Sequence, residues 1–262
     1  MPELPDLEVA RRYVNATSLH QTIRSVEVRN EKILGEASAH ELGGALEGHS
    51  FDSTRRHGKN LFVGLDDGTW LYVHFGMTGR LKYFEDLAKD PPRDRFLISF
   101  ENGYHLALDD ARMFGKVDLV EDPEAFIRNK NLGPDPLALD AATFRERFEG
   151  RRGGVKAALM NQQVVAGIGN IYSDEILFQL RVHPRTDVRR LAGATLEEMH
   201  RQTLQVLERA IERGADPDEL PEPFLPPHRS EGEECPRGNG EIQKMTAAGR
   251  TAYYCPACQP EG

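Results

Sequence analysis

The first group that could do chemistry is the N-terminus, where Met1 precedes Pro2 and Glu3. Initiator methionine is usually removed before proline, which exposes a secondary amine beside a carboxylate. An α-amino group has a reference pKa of about 8, so more of it is unprotonated at neutral pH than of a lysine. Such an amine can attack an electrophilic carbon and form an iminium, with Glu3 as general acid. The alternative is a flexible terminus that carries proline by chance.

A glycine-rich turn within residues 164–178, VVAGIGNIYSDEILF, is the second candidate. Gly167 and Gly169 permit a tight turn, and Asn170 is predicted to cap the helix that follows. Helix N-termini direct backbone N–H groups at anions, so this segment is predicted to receive a phosphate. Lys156, on the preceding helical segment, could supply a second phosphate contact. The alternative is an ordinary packing joint between two helices.

The cysteines form a partial metal-binding motif near the C-terminus. Cys255 and Cys258 make a C-x₂-C pair, and Cys235 lies upstream at a spacing found in zinc ribbons. Gly238 occupies the position that would complete a second pair. His228 or water could supply the fourth ligand to Zn²⁺, or the segment could be a metal-free hairpin that holds its shape by packing.

The charge balance argues against nucleic acid as the obvious partner. Acidic residues outnumber basic ones by 42 to 33, which gives a formal net charge of −9. A polyanion is repelled by such a protein on average, so a nucleic-acid site would have to be a local basic patch. Arg250, after a glycine at a predicted hairpin turn, could clamp a phosphate. The alternative is an exposed arginine without that role.

Composition narrows the class of protein further. With 39% hydrophobic and 29% charged residues among 262, the chain is neither disordered nor fibrous. No run approaches a membrane span, and no signal-peptide pattern opens the sequence. An odd number of cysteines excludes a secreted disulfide scaffold. We therefore expect a cytoplasmic protein without a membrane partner.

The elements that would position these groups differ between the two halves of the chain, with β-rich sequence in the first and helical sequence in the second. An N-terminal helix is predicted from Leu7, Ala10 and Val14, which recur at helical spacing. Short β-rich runs follow from about residue 23 to 120, separated by Asp-Gly and Asn-Gly turns. Such runs without interleaved helices indicate an antiparallel sandwich or barrel. The runs are IRSVEV, NLFVGL, TWLYVHF, RLKYF, RFLISF, YHLAL and KVDLV.

The second half of the chain has helical periodicity. Thr195 and Glu198 are predicted to form a capping box, and Gly214 to end the helix that they open. Residues 215–230 contain five prolines and are predicted to be a linker. A C-terminal hairpin follows. The helical segments are predicted at residues 140–149, 154–163, 170–180 and 195–213.

Several motifs occur together in one order and resemble the formamidopyrimidine-DNA glycosylase and endonuclease VIII family of base-excision repair. The motifs are MPELPDLE, HGK at 57–59, HFGMTG at 74–79, ARMFG at 111–115, AGIGNIYSDEILF and GRTAYYCPACQ. The resemblance implies an α+β protein with an antiparallel β-sandwich carrying the N-terminal helix (residues 1–130), a helix-two-turn-helix domain (131–222), and a linker with a degenerate zinc-finger hairpin (223–262). It also implies that DNA binds in the cleft between domains.

The same resemblance assigns catalytic roles. Pro2 would attack C1′ of the damaged nucleotide, and Glu3 would donate and shuttle protons. The resulting iminium would drive β- and then δ-elimination at the abasic site. Lys59 would bind the phosphate beside the lesion, and Asn170 and Arg250 would be the other phosphate contacts.

Three further residues match those that fill the gap left by the flipped-out base: Met77, Arg112 and Phe114. Arg112 and Phe114 are two residues apart, which would place them on the same face of one strand. The alternative for Met77 and Phe114 is the hydrophobic core, since both lie in β-like sequence.

The sequence departs from the family pattern at three places. Asp6 stands where the family usually has glutamate, and Gly238 stands where it has a cysteine. The proline-rich segment replaces a longer loop with a K-P-G-Y-F element that closes over 8-oxoguanine in the purine-specific branch. The lesion could therefore be an oxidised purine or an oxidised pyrimidine.

We expect a monomeric DNA glycosylase and abasic-site lyase that acts on damaged double-stranded DNA of the nucleoid. Two alternatives stay open at this point. One is a member of the same fold that binds lesions with little or no catalysis. The other is a transcription factor that uses residues 164–180 as a helix-turn-helix and has no preference for abasic sites.

Overall fold

A computed structural model describes residues 1–261 and divides into two compact units. The first unit contains residues 1–2 and 6–130. The second contains Glu3–Pro5 and the chain from Asn131 onward. Among the residues described, no helix is both long and apolar enough to cross a bilayer.

The first unit is an antiparallel β-sandwich, which confirms the sequence-based prediction. Its two four-stranded sheets have the strand orders β1-β6-β7-β5 and β2-β3-β4-β8. The strands are β1 Ile23–Val28, β2 Phe51–His57, β3 Asn60–Leu65, β4 Trp70–His74, β5 Arg80–Phe84, β6 Asp94–Phe100, β7 His105–Asp109 and β8 Lys116–Val120. Apolar side chains of both sheets form one core, including Phe51, Leu61, Val73, Phe96 and Leu106.

Three helices accompany the sandwich: α1 Leu4–Thr17, α2 Ala39–Leu46 and α3 Pro123–Asn129. The predicted apolar stripe of α1 is confirmed, because Leu7, Ala10 and Val14 are all buried against the sandwich core. The Asp-Gly and Asn-Gly turns are confirmed as well, with Gly68 and Gly103 at φ of +92° and +89°.

The second unit contains four helices: α4 Ala141–Phe148, α5 Val155–Met160, α6 Asn170–Leu180 and α7 Gly193–Glu212. Their apolar faces share a core with Leu4. The predicted capping box is wrong, because α7 begins two residues earlier and Thr195 lies inside it. The N-cap is Ala192, which makes no side-chain hydrogen bond. Gly214 follows the helix end at φ +69°, as predicted.

Residues 215–230, which we call the proline-rich segment, are not a free linker. Leu220 and Leu225 are buried in the apolar clusters of the second unit. The buried carboxylate of Glu175 accepts the backbone N–H of Leu225 at 2.7 Å. The segment is therefore anchored to the second unit at Leu220 and Leu225.

A hairpin of β9 Gln243–Ala247 and β10 Arg250–Tyr254 follows the proline-rich segment. Ala248 and Gly249 form its two-residue turn, with φ of +54° and +69°. Positive φ at both central residues is the pattern of a type I′ turn, which suits the twist of a hairpin.

Candidate functional site

The N-terminus of α6 is occupied by the carboxylate of Glu3, a residue that is 1% exposed. Glu3 accepts hydrogen bonds from the backbone N–H groups of Gly169 at 2.6 Å, Ile171 at 2.8 Å and Tyr172 at 3.4 Å. These are the donors that were predicted to receive a phosphate, so that prediction is corrected. The N-cap is Gly169, and Asn170 is the first helical residue. The positive end of the helix dipole adds to the attraction.

Gly169 is required at this position by close contact. A Cβ atom there would lie 2.4 Å from the side-chain carboxyl carbon of Glu3. The backbone N–H of Leu4 also donates to the carbonyl of Gly167 at 3.0 Å. The glycine-rich turn and the residues that follow Pro2 are thus held together in the second unit.

Pro2 is half-buried and immediately precedes this fixed segment. Its nitrogen is joined to Met1, which is 48% exposed and so accessible to removal. Loss of Met1 converts the Pro2 nitrogen from an amide into a basic secondary amine.

Lys59 lies in the two-residue turn between β2 and β3, where Gly58 has φ of +56°. The carbonyl of Gly58 accepts from the guanidinium of Arg56 at 3.3 Å, and Arg56 also pairs with Glu8 on α1. Burial lowers the pKa of His74, and the positive charge of Lys59 lowers it further. The imidazole of His74 is therefore neutral at neutral pH.

Asn170 and the strand that carries Arg250 are brought together in the second unit. The side-chain amide N–H of Asn170 donates to the carbonyl of Thr251 at 3.0 Å. Its Oδ1 atom is buried and has no hydrogen-bond partner among the described residues. Arg250 is exposed at the start of β10. The structure thus places the two predicted phosphate contacts on neighbouring elements.

Lys156 is not accessible to a phosphate from solvent. Its side chain is fully buried, and its Nζ forms an ion pair with Asp174. Two further acceptors, the carbonyl of Asn170 and the hydroxyl of Ser173, lie within 3.1 Å of the same atom. The prediction that Lys156 contacts DNA is therefore corrected.

The three predicted gap-filling residues lie on two loops of the first unit. Phe114 is 54% exposed, so the core interpretation is wrong for it. The guanidinium of Arg112 lies 5.1 Å from the centre of the Phe114 ring. Both residues are in the loop before β8, not on a strand, and Met113 between them has φ of +53°. Met77 is half-buried on the other loop.

One carboxylate joins these loops. Asp110 accepts from the Thr78 hydroxyl at 2.5 Å, from the Gly115 N–H at 2.7 Å and from the Arg112 N–H at 3.2 Å. Burial raises the pKa of Asp110, but the hydrogen bonds from Thr78 and the backbone N–H groups outweigh it, so the pKa lies below its ordinary value. Asp110 therefore holds the loop of Met77 against the loop of Phe114.

The three cysteines form a buried cluster that could hold a metal ion. The sulfur atoms of Cys235, Cys255 and Cys258 all lie within 4.8 Å of one another. His228 is not part of the cluster, since its Nε2 lies 2.7 Å from a carboxylate oxygen of Glu222. The prediction of His228 as a fourth ligand is therefore not supported.

Asp110 and Asp174 are the site residues that reasoning from sequence missed. Asp110 directly precedes the ARMFG motif. This position could have indicated that Asp110 supports the loop that carries Arg112 and Phe114. Asp174 lies four residues after Asn170, which is one helical turn away on the same face. That spacing was a usable signal.

Comparison with known proteins agrees with this geometry. Residues 1–117 match the formamidopyrimidine-DNA glycosylase N-terminal domain, and residues 132–219 match the H2TH domain of the same family. A formamidopyrimidine-DNA glycosylase of Gloeobacter violaceus is 35% identical over 277 residues, covering 99% of this chain and 98% of the relative. One of Streptococcus thermophilus is 31% identical over 274 residues, covering 99% of each chain.

A solved structure gives the same result in three dimensions. The Lactococcus lactis enzyme in complex with FAPY-dG-containing DNA superposes with a TM-score of 0.90 at 28% identity, covering 99% of this chain and 100% of that one. The domain models, the relatives and the solved structure all match this chain over most of its length, and they agree on one family. The chain belongs to the formamidopyrimidine-DNA glycosylase family, the DNA glycosylases of base-excision repair.

Proposed function

We propose that this protein excises oxidised bases from duplex DNA and then cleaves the abasic site, with the amine of Pro2 as nucleophile. The observation that carries the proposal is the carboxylate of Glu3, buried and held by three backbone N–H groups. It is adjacent in sequence to the only amine that Met1 removal would create. A carboxylate oriented beside a nucleophile is suited to proton transfer.

The proposed reaction proceeds through a Schiff base. The Pro2 nitrogen forms a bond to C1′ and passes its N–H proton to the Glu3 carboxylate. Glu3 delivers this proton to the base, which leaves with the electron pair of the broken C1′–base bond. Opening of the sugar gives an iminium, which makes the C2′ hydrogen acidic. Loss of that proton expels the 3′ phosphate, and a second elimination expels the 5′ phosphate.

Binding is proposed to rest on a few cations in an acidic protein. Lys59 and Arg250, with the neutral Asn170, would contact backbone phosphates near the lesion. Contacts of this type fix register without reading sequence. They are compatible with the net charge of −9, because only local charge is required. We propose that the protein acts as a monomer on nucleoid DNA.

The lesion is proposed to be a formamidopyrimidine or a related oxidised base. The relatives named above carry that substrate in their names, and one solved neighbour holds FAPY-dG-containing DNA. Met77, Arg112 and Phe114 would fill the gap left by the flipped base, which recovers part of the few kcal/mol lost in unstacking. The packed proline-rich segment stands in place of the 8-oxoguanine loop, so 8-oxoguanine is expected to be a weaker substrate.

The hairpin is proposed to hold Zn²⁺ through Cys235, Cys255 and Cys258, with water as the fourth ligand. Three converging sulfur atoms fit this ion, whose tetrahedral structural sites use cysteine thiolates. Bound zinc would supply folding energy to the hairpin. One equivalent of zinc in the purified protein is the expected result of metal analysis.

Borohydride trapping with an abasic duplex tests the mechanism. The wild-type protein should form a covalent adduct. Pro2→Glu, before which Met1 is retained so that the nitrogen of residue 2 stays an amide, should lose it. Pro5→Ala, which changes a neighbouring proline and leaves the terminal amine intact, is the matched control and should still be trapped. An adduct that survives Pro2→Glu would contradict the proposal. Excision from duplexes carrying formamidopyrimidine, 8-oxoguanine, thymine glycol or dihydrouracil then ranks the substrates.

A further inference from the structure

Lys156 and Asp174 form an ion pair that solvent does not reach. Their charged atoms are 2.5 Å apart, and each side chain is 0% exposed. A buried ion pair often contributes little net stability, because removing both charges from water offsets their attraction. Stability alone is therefore a weak explanation for this pair.

The ammonium of Lys156 has no donor left for DNA. It has three N–H groups, and three acceptors surround it: Asp174, the carbonyl of Asn170 at 3.1 Å and the Ser173 hydroxyl at 3.0 Å. Two of these acceptors belong to the first turn of α6. Burial lowers the pKa of Lys156, and the charges of Asp174 and Glu3 oppose that shift, so Glu3 also acts on this ammonium.

The second carboxylate oxygen of Asp174 contacts the proline-rich segment and the hairpin. It accepts from the guanidinium of Arg229 at 2.7 Å and from the backbone N–H of Tyr253 at 3.2 Å. The guanidinium of Arg229 also lies 4.8 Å from the centre of the Tyr253 ring. One carboxylate thus joins α5, α6, the proline-rich segment and β10.

We propose that Lys156 and Asp174 are positioning residues that set the place of Asn170 relative to Arg250. Lys156 holds the carbonyl of Asn170, and Asp174 holds β10 three residues after Arg250. The pair therefore fixes both ends of the contact between Asn170 and Thr251. This inference rests on the proposed function, in which Asn170 and Arg250 bind phosphates.

A double-mutant cycle in DNA binding tests it. The affinity for a duplex with an unreactive abasic analogue is measured for the wild type, Asn170→Ala, Lys156→Met and the double variant, across a series of salt concentrations. If Lys156 acts through Asn170, its loss weakens binding about tenfold in the wild type and much less once Asn170 is alanine. The slope of log K against log salt should stay unchanged in Lys156→Met.

Arg250→Met is the matched comparison for a true phosphate contact, and its slope should be smaller in magnitude by about 0.9. A drop of that size in Lys156→Met, or effects of Lys156 and Asn170 that multiply, would overturn the inference. If Asn170→Ala and Arg250→Met both leave affinity unchanged, the proposed phosphate contacts themselves are wrong, which is a separate failure.

A second variant guards against simple unfolding, because removing one partner leaves a buried charge unpaired. Lys156→Met combined with Asp174→Asn removes both charges of the pair and keeps an acceptor for Arg229 and for the Tyr253 N–H. We expect this variant to keep a cooperative thermal transition and still to bind the abasic analogue about tenfold more weakly. Wild-type affinity in a folded double variant would contradict a positioning role.

Discussion

The first turn of α6 and the two loops that carry the proposed gap-filling residues place their side chains in opposite ways. Around the α6 turn, charged groups such as Glu3, Lys156 and Asp174 are buried and hydrogen-bonded. In the loops, Phe114 and Arg112 are exposed, and what is fixed is the backbone beneath them, through Asp110.

The difference fits the role that we propose for each region. A buried, paired charge is expensive to displace, so the α6 turn is held in one geometry, as suits proton transfer and phosphate contact. An exposed side chain on a fixed backbone keeps its rotamer freedom, as suits insertion into a gap whose shape depends on the lesion. Substitutions in the α6 turn and in the loops should therefore differ in how much they reduce stability and activity.

The largest effect is expected from Glu3→Ala. This change leaves the N–H groups of Gly169, Ile171 and Tyr172 buried without an acceptor. Each such group costs about 1–3 kcal/mol, so the free energy of unfolding should fall by several kcal/mol and base excision should be abolished. Thermal unfolding and single-turnover excision measure the two losses.

Glu3→Gln separates the two roles of this side chain. The amide keeps an acceptor for the helix N-terminus but cannot serve as a proton donor of the same acidity. Its melting temperature should lie much closer to wild type than that of Glu3→Ala, while excision stays lost. Equal destabilisation by both changes would show that the charge, not the acceptor, holds the turn.

The second largest effect is expected from Gly76→Ala, at the point where the two loops meet. Gly76 has φ of +58°, and a Cβ there would lie 2.2 Å from the carbonyl carbon of Phe114. Strain of this kind costs about 1–3 kcal/mol, and the Phe114 backbone must shift in addition. Both stability and excision should fall. Gly68→Ala is the control, with φ of +92° and nothing within 4 Å of the added Cβ.

The strands that were predicted correctly are those whose sequences carry their own apolar pattern. Asn60–Leu65 and Lys116–Val120 are examples. Phe51–His57 was missed because FDSTRRH is polar, and its strand conformation depends on pairing with β3. The helix Ala39–Leu46 was missed although Ser38 and Glu41 form a capping box that the sequence displays.

The residues of the candidate site could be predicted where they belong to a sequence motif. Their hydrogen-bond and ion-pair partners could not be predicted where those partners are distant in sequence. The segment around Asn170 was correctly identified as a helix start. That Glu3, far away in sequence, would supply the acceptor could not be read from local spacing. The burial of Lys156 was missed for the same reason, since its partner Asp174 lies on another helix.

The third largest effect is expected from Asp110→Asn, which weakens the hydrogen bonds that hold the two loops together. The pKa of Asp110 is lowered by folding, so its stabilisation is fully present above the unfolded value of 3.8. It is lost as pH falls below that value and through the lower folded pKa. Wild-type stability should therefore decline more steeply than that of Asp110→Asn between about pH 5 and pH 2. The measurement is thermal unfolding of both proteins across that range. Parallel curves would contradict the assigned role of this carboxylate.

The smallest effect on the folded protein is expected from Phe114→Ala, and it tests the comparison most directly. An exposed side chain on a fixed loop should change the free energy of unfolding by no more than about 0.5 kcal/mol. Excision of a base still paired in the duplex should fall about tenfold, since part of the unstacking energy is no longer recovered. Cleavage of a preformed abasic site, where no base must be flipped, should be unchanged. If Phe114→Ala instead lowered the melting temperature as much as Asp110→Asn, the ring would be a structural part of the loop, and the contrast with the α6 turn would fail.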